Sequence, residues 1–134
     1  MFLNELNNEE KKAFLSLSVH AANANGVFED EERAMMEEYC KEMGVSFFDI
    51  KDTQPLDIIM DIFQKSGKRV KKIVLLEMLG LLYADGTYDD DEKKLVAEYG
   101  MKVGVTKEEI DMITFHIKRY LDVVNDIAIE LSNE

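Results

Sequence analysis

Residues Ala22 to Val45, ANANGVFEDEERAMMEEYCKEMGV, align without a gap on Leu82 to Val105, LYADGTYDDDEKKLVAEYGMKVGV, at an offset of sixty. Eight of the 24 positions are identical: Ala24/Ala84, Gly26/Gly86, Asp30/Asp90, Glu32/Glu92, Glu38/Glu98, Tyr39/Tyr99, Gly44/Gly104 and Val45/Val105. Most mismatches keep their chemical type, as in Asn25/Asp85, Phe28/Tyr88 and Arg33/Lys93. Shared helix patterning does not put glycines and tyrosines in one register, so the chain reads as a duplication. Two stacked units can share one core, and 134 residues at 46% hydrophobic suffice for one core and not two. The expected organisation is one domain over residues 1–134, its halves at about 8–66 and 67–131.

Each half reads as a helix hairpin followed by more helix. The first helix, about Asn8 to Ala24, places Phe14, Leu15, Leu17, Ser18 and Ala21 or Ala22 on one face, and Gly26 suits its stop. The second runs from about Asp30 to Met43, turning Met35, Met36, Tyr39, Cys40 and Met43 inward, and ends at Gly44. Pro55 fits the first turn of a helix carrying Leu56, Ile59, Met60, Ile62 and Phe63, which Ser66-Gly67 ends. In the other half, Lys68 to Ala84 is apolar almost all round and is expected at the centre of the core. Asp90 to Val103 repeats the second helix. Thr106 and Glu109 have capping-box spacing before a helix to about Leu131 with Ile110, Ile113, Ile117, Tyr120, Leu121, Val124, Ile127 and Leu131. No sustained alternation points to a strand. The expected fold is therefore all-α: a compact bundle of six or seven helices, with pseudo-twofold symmetry between the halves.

A net charge of -12 repels phosphate backbones and anionic lipid heads, which disfavours nucleic acid and membrane and favours divalent cations and basic protein surfaces. The longest nearly apolar stretch, Ile73 to Ala84, is too short to cross a bilayer and contains Glu77, so no transmembrane segment is expected. Met1 to Lys12 carries glutamates where a secretory signal needs a basic region, and a cytoplasmic address is the default expectation. Cys40, the single cysteine, reads as a small buried hydrophobe.

The candidate chemistry lies in the loops that close the hairpins. Residues Asp85 to Glu92 hold five carboxylates within eight positions, and these repel unless spread into solvent or gathered round a cation. The spacing from Gly86 to Glu92 is that of the second half of an EF-hand loop, with Asp85 and Asp89 at positions five and nine. Leu81 and Tyr83 stand where the first two carboxylates belong, which argues against an ordinary EF-hand cage. Asp85, Asp89 and Glu92 could still form a weaker oxygen site for calcium or magnesium, with Asn25, Glu29 and Glu32 as a feebler copy. The alternative is purely structural. Gly86 stops one helix, Asp89 caps the next, and Glu92 closes a capping box.

Elsewhere, His20 and His116 are isolated, and each reads first as a structural or surface group. Glu77, among apolar neighbours, must be paired, hydrogen-bonded or protonated if buried; the simpler expectation puts it on a narrow exposed stripe. The basic run KSGKRVKK, Lys65 to Lys72, lacks a phosphate-loop lead and suits solvation of a helix start, with a docking patch for an acidic partner as the alternative. There is no Glu-x-x-His pattern for a di-iron bundle and no nucleophile and base close in sequence.

The stretches NANGVFEDEE and YADGTYDDDE, each between an apolar helix and a helix ending in Gly-Val, resemble the signature of the TerB-like family, associated with tellurite resistance. The likeness spans about Glu10 to Glu130. It implies an all-helical fold of two similar halves, acidic loop residues proposed to bind metal, and work in stress responses and multiprotein complexes without an established catalytic activity. The family's loop aspartate falls on Asp85, its glycine on Gly26 and Gly86, and its glutamate on Glu32 and Glu92; Asn25 departs from the pattern. The expected role is a non-enzymatic stress-response adaptor or complex subunit with a protein partner. The alternatives are a small cation sensor or buffer, and a hydrolase with an unrecognised carboxylate site. Self-association stays open, because sequence does not reveal which apolar stripe is left uncovered.

Overall fold

The computed structural model describes residues 1–23, 30–83 and 88–133, and of residues 31 and 32 the backbone. The described residues form an all-α bundle: α1 Asn8–Ala22, α2 Asp30–Met43, α3 Leu56–Gln64, α4 Lys68–Leu82, α5 Asp90–Val103 and α6 Lys107–Ser132, with 3-10 turns at Leu3–Glu5 and Ile50–Asp52. No strand occurs among them. Nor is any described helix long and apolar enough to cross a membrane.

Local chemistry accounts for the boundaries. Three helices open with a capping box: Asn7 with Glu10 at α1, Asp89 with Glu92 at α5, and Thr106 with Glu109 at α6. In each, the capping side chain accepts from the third backbone N–H while the glutamate accepts from the cap's own N–H, satisfying two otherwise orphaned donors. Gly44 and Gly104 end α2 and α5 at φ 70° and 90°, a left-handed conformation that costs other residues about 1 kcal/mol or more. Pro55 stands one position earlier than its sequence reading, as the cap before Leu56. α1 and α4 end at Ala22 and Leu82, two residues short of the expected bounds; the expected stops Gly26 and Gly86 lie outside the described residues.

α4 sits in the middle, packed against α1, α3, α5 and α6, and it buries Ile73, Val74, Leu75, Met78, Leu79, Leu81 and Leu82. α1 contributes the fully buried Phe14, Leu15 and Leu17. Tyr39 and Tyr99, at equivalent repeat positions, are both buried, each edge-on to a phenylalanine: Tyr39 to Phe14 at 5.1 Å and Tyr99 to Phe63 at 6.2 Å. Burial raises both phenol pKa values above their ordinary range. Their hydroxyls donate to carbonyls of the same helix, α4: Tyr39 to Glu77 and Tyr99 to Lys71.

The hairpin pairings recur, α1 with α2 and α4 with α5, and the third helix of each half packs on the first, α3 on α1 and α6 on α4. The direction of that third helix differs. Gln54, just before α3, bonds to Ser16 and His20, while Ser66, just after it, donates to Glu10, so α3 runs antiparallel to α1. Lys68 and Lys72 pair with Glu109, and farther along Lys118 lies over Tyr83, so α6 runs parallel to α4. The likeness of the halves is therefore carried by the hairpins.

Candidate functional site

Two of the six acidic-loop candidates are described in full. Asp89 is the cap of α5, and its Oδ1 accepts from Glu92 N at 2.9 Å. Glu92 Oε1 accepts from Asp89 N at 2.9 Å, and the side chain is buried, at 4% exposure. Each carboxylate thus gives an oxygen to the start of the helix. Asp85 and the first-loop residues Asn25 and Glu29 lie outside the described residues, as does the side chain of Glu32, which falls in the first turn of α2.

A tyrosine clasp brackets the second loop. Tyr83, the cap at the end of α4, and Tyr88, one residue before the cap of α5, have ring centroids 4.7 Å apart. Burial raises both phenol pKa values, and with Tyr83 and Glu92 adjoining, that of Tyr88 is pushed up to about 12. Lys93 lies over the Tyr88 ring at 5.7 Å and Lys118 over the Tyr83 ring at 5.8 Å. Two ammonium groups therefore stand at the base of the acidic segment and offset part of its charge. Sequence reasoning missed this clasp. The available signal was a pair of tyrosines on either side of the segment Ala84-Asp85-Gly86-Thr87, with no counterpart to Tyr83 in the first half, where Asn23 takes its place.

Among the described residues, no three His, Cys, Asp or Glu side chains are grouped as a metal site would need. The oxygen donors at the second loop, Asp89 and Glu92, suit a hard cation such as calcium or magnesium in chemistry. The capping geometry they adopt is also that of Asn7 with Glu10 and of Thr106 with Glu109. Glu10 also accepts from Ser66, just after α3, and Glu109 also pairs with Lys68 and Lys72 of α4.

The other candidates resolve as structural or surface groups. His20 Nε2 lies 2.8 Å from the Gln54 carbonyl, so that nitrogen carries the proton and clamps the segment before α3 onto α1. His116 is exposed beside Phe115. Cys40 is half-buried, and burial, with Glu37 nearby, raises its thiol pKa, the opposite of an activated cysteine. The basic run bridges elements: Arg69 forks onto Glu5, and Lys68 also donates to the Gly104 carbonyl.

Glu77 departs from its expectation. Its side chain is only 11% exposed, and it pairs with the Met1 ammonium, which also meets Glu42 at 2.9 Å. Burial lowers that ammonium's pKa, but hydrogen bonds and attraction from Glu77 and Glu42 outweigh it and raise the value. A pairing across 76 residues of sequence supplies the counter-charge that the apolar neighbours lack.

Comparison of the chain with protein-family models, with curated proteins and with solved structures finds no match.

Proposed function

We propose that the chain is a non-enzymatic adaptor or subunit of a stress-response complex, a TerB-like cytoplasmic module whose second acidic loop takes calcium or magnesium weakly and whose partners are proteins rather than nucleic acid. The observation that carries this reading is the repeated hairpin whose second copy concentrates Asp89, Asp90, Asp91 and Glu92 at one helix start, beside the Tyr83 and Tyr88 clasp. Carboxylates held this close are relieved by a cation or by a basic partner surface. Asp85 would complete the oxygen set.

Calorimetric titration and thermal melting, after chelation and at fixed ionic strength, test the cation. A bound ion at about one hundred times its dissociation constant raises stability by about 2.7 kcal/mol. Asp85→Asn should remove most of that gain and leave the cap intact, whereas Asp89→Ala should cost about 1 kcal/mol without ion, because it removes a cap, and should also lose part of the ion's gain, because it removes a ligand. If Asp85→Asn barely alters stability in either state and Asp89→Ala costs the same in both, the structural alternative holds. If no saturable heat appears up to millimolar calcium or magnesium, and an inert salt reproduces the melting shift, the loop is a helix cap alone. Affinity capture from the native cell tests the adaptor role; a chain that reproducibly captures nothing counts against it.

A further inference from the structure

α6 is 26 residues long and α4 is 15, and because the two run parallel from a shared start, α6 outlasts the bundle. Glu109 meets Lys68 and Lys72, Ile117 packs over Gly80, and Lys118 reaches Tyr83 at the end of α4. Leu121 still packs against the core, and the eleven residues after it, 122–132, extend about 16 Å farther at 1.5 Å per residue.

The apolar stripe of α6 does not stop where the bundle does. Ile110, Ile113 and Ile117 follow a spacing of three and four, and Tyr120, Val124, Ile127 and Leu131 continue it in register. The first three are buried or half-buried in the chain's own core. The last four are 47%, 44%, 53% and 79% exposed. A heptad stripe of this kind is the seam of a coiled coil, and a helix this short without tertiary packing is marginal in water.

We infer that this overhang pairs antiparallel with the same segment of a second copy of the chain. Two features single out a second copy. Lys118 and Arg119 stand at the base of the overhang, and Asp122, Asp126 and Glu130 follow toward its end, all exposed. An antiparallel pair sets the basic end of each segment by the acidic end of the other; a parallel pair stacks like on like. The stripe is also its own complement, because with Val124 opposite the second copy's Ile127, Tyr120 falls opposite Leu131, which gives four closed layers in an isologous contact. This arrangement places the two bodies, each of net charge -12, at opposite ends of the overlap. Their separation exceeds the Debye length of about 8 Å at physiological ionic strength. Four layers bury less than the roughly 1,200 Å² of a stable interface, so the dimer is weak and in exchange.

Sedimentation equilibrium of the full 134-residue chain, from about 1 µM to about 1 mM, should show a rise toward twice the 15.4 kDa chain mass. Val124→Asp with Ile127→Asp should hold the protein monomeric while its near-UV dichroism stays unchanged, since neither residue touches the core. If the aspartates unwind the helix, Val124→Gln with Ile127→Gln reads the same point. Spin labels at Arg119→Cys and, separately, Asp126→Cys, both in a Cys40→Ala background, report direction: labels at 119 should lie about 20 Å or more apart and those at 126 much closer. A chain that stays monomeric throughout, a dimer indifferent to both double variants, or equally short distances at both label sites would each overturn the inference.

Discussion

The two hairpins end alike and continue differently. α2 and α5 both stop at a left-handed glycine, Gly44 and Gly104, followed by valine. Beyond Gly104 only residues 104–106 precede α6. The chain there is already beside the start of α4, where Lys68 donates to the Gly104 carbonyl, so α6 can only climb alongside α4 in the same direction. Beyond Gly44 the connection spans residues 44–55 and carries the chain along α1 to Ser16 and His20, and α3 then returns toward Glu10. Identical punctuation thus gives opposite helix directions, because the length of the connection decides which end of the hairpin the next helix starts from. It also decides exposure: the nine-residue α3 is sandwiched between α1, α4 and α5, whereas α6 runs past its support.

The largest expected effect tests whether α3 bridges both halves. Phe63 is fully buried and edge-on to Tyr99, as Phe14 is to Tyr39. Phe63→Ala should cost about 3–5 kcal/mol in urea unfolding, comparable with Phe14→Ala. A loss under about 1 kcal/mol would show that α3 serves only the first half.

A smaller effect separates the short connection from the long one at a single repeat position. Cys40 in α2 corresponds to Gly100 in α5. The long connection leaves room for a side chain at Cys40. The short one folds back over Gly100, where an added Cβ would lie 2.6 Å from Ile110 Cδ1 and 3.0 Å from the Val105 carbonyl oxygen. Gly100→Ala should therefore destabilise by about 1–2 kcal/mol despite the gain in helix propensity, because a backbone oxygen cannot move aside as a methyl can. Cys40→Ala should cost under about 1 kcal/mol. Equal and small losses at both sites would mean that the turn after Gly104 yields as freely as the long connection does.

How far the sequence carried follows from where each determinant lies. Local determinants were legible: α2 and α5 begin and end at the expected residues, and the Thr106 and Glu109 box is in place. Periodicity also found the α6 stripe, but it names an apolar face without naming what covers it, so the exposed Tyr120, Val124, Ile127 and Leu131 read like core. The direction of α3 depends on contacts of Gln54 with α1 that no local pattern encodes. Glu77 was misplaced because its partner is the chain's own amino terminus. At the candidate site, the spacing of Asp89 and Glu92 already contained the capping box, whereas the Lys118 contact with Tyr83 depends on α6 running parallel to α4.

The smallest expected effect concerns Glu109, which sits where the short connection meets α4. Thr106 N–H, Lys68 and Lys72 together hold its carboxyl at about 2, well below the ordinary 4.5. A carboxylate whose folded pKa is depressed contributes stability fully above its unfolded pKa, and that contribution fades as pH falls from about 4.5 toward 2. Protonation loosens the Lys68 and Lys72 bridges that fix α6 against α4. Among the described residues, no such bridge ties the long connection to α1, where His20 and Ser16 hold Gln54 instead. Urea titrations at pH 7, 5 and 3 should show Glu109→Gln less stable than wild type at pH 7, by nearly the same margin at pH 5, and by a visibly smaller margin at pH 3. Because the groups involved are largely solvated, the margin should also shrink in high salt. A margin constant from pH 7 to pH 3 would mean that Glu109 acts only as a neutral cap for Thr106, and that the length of the connection, without its charges, sets the direction of α6.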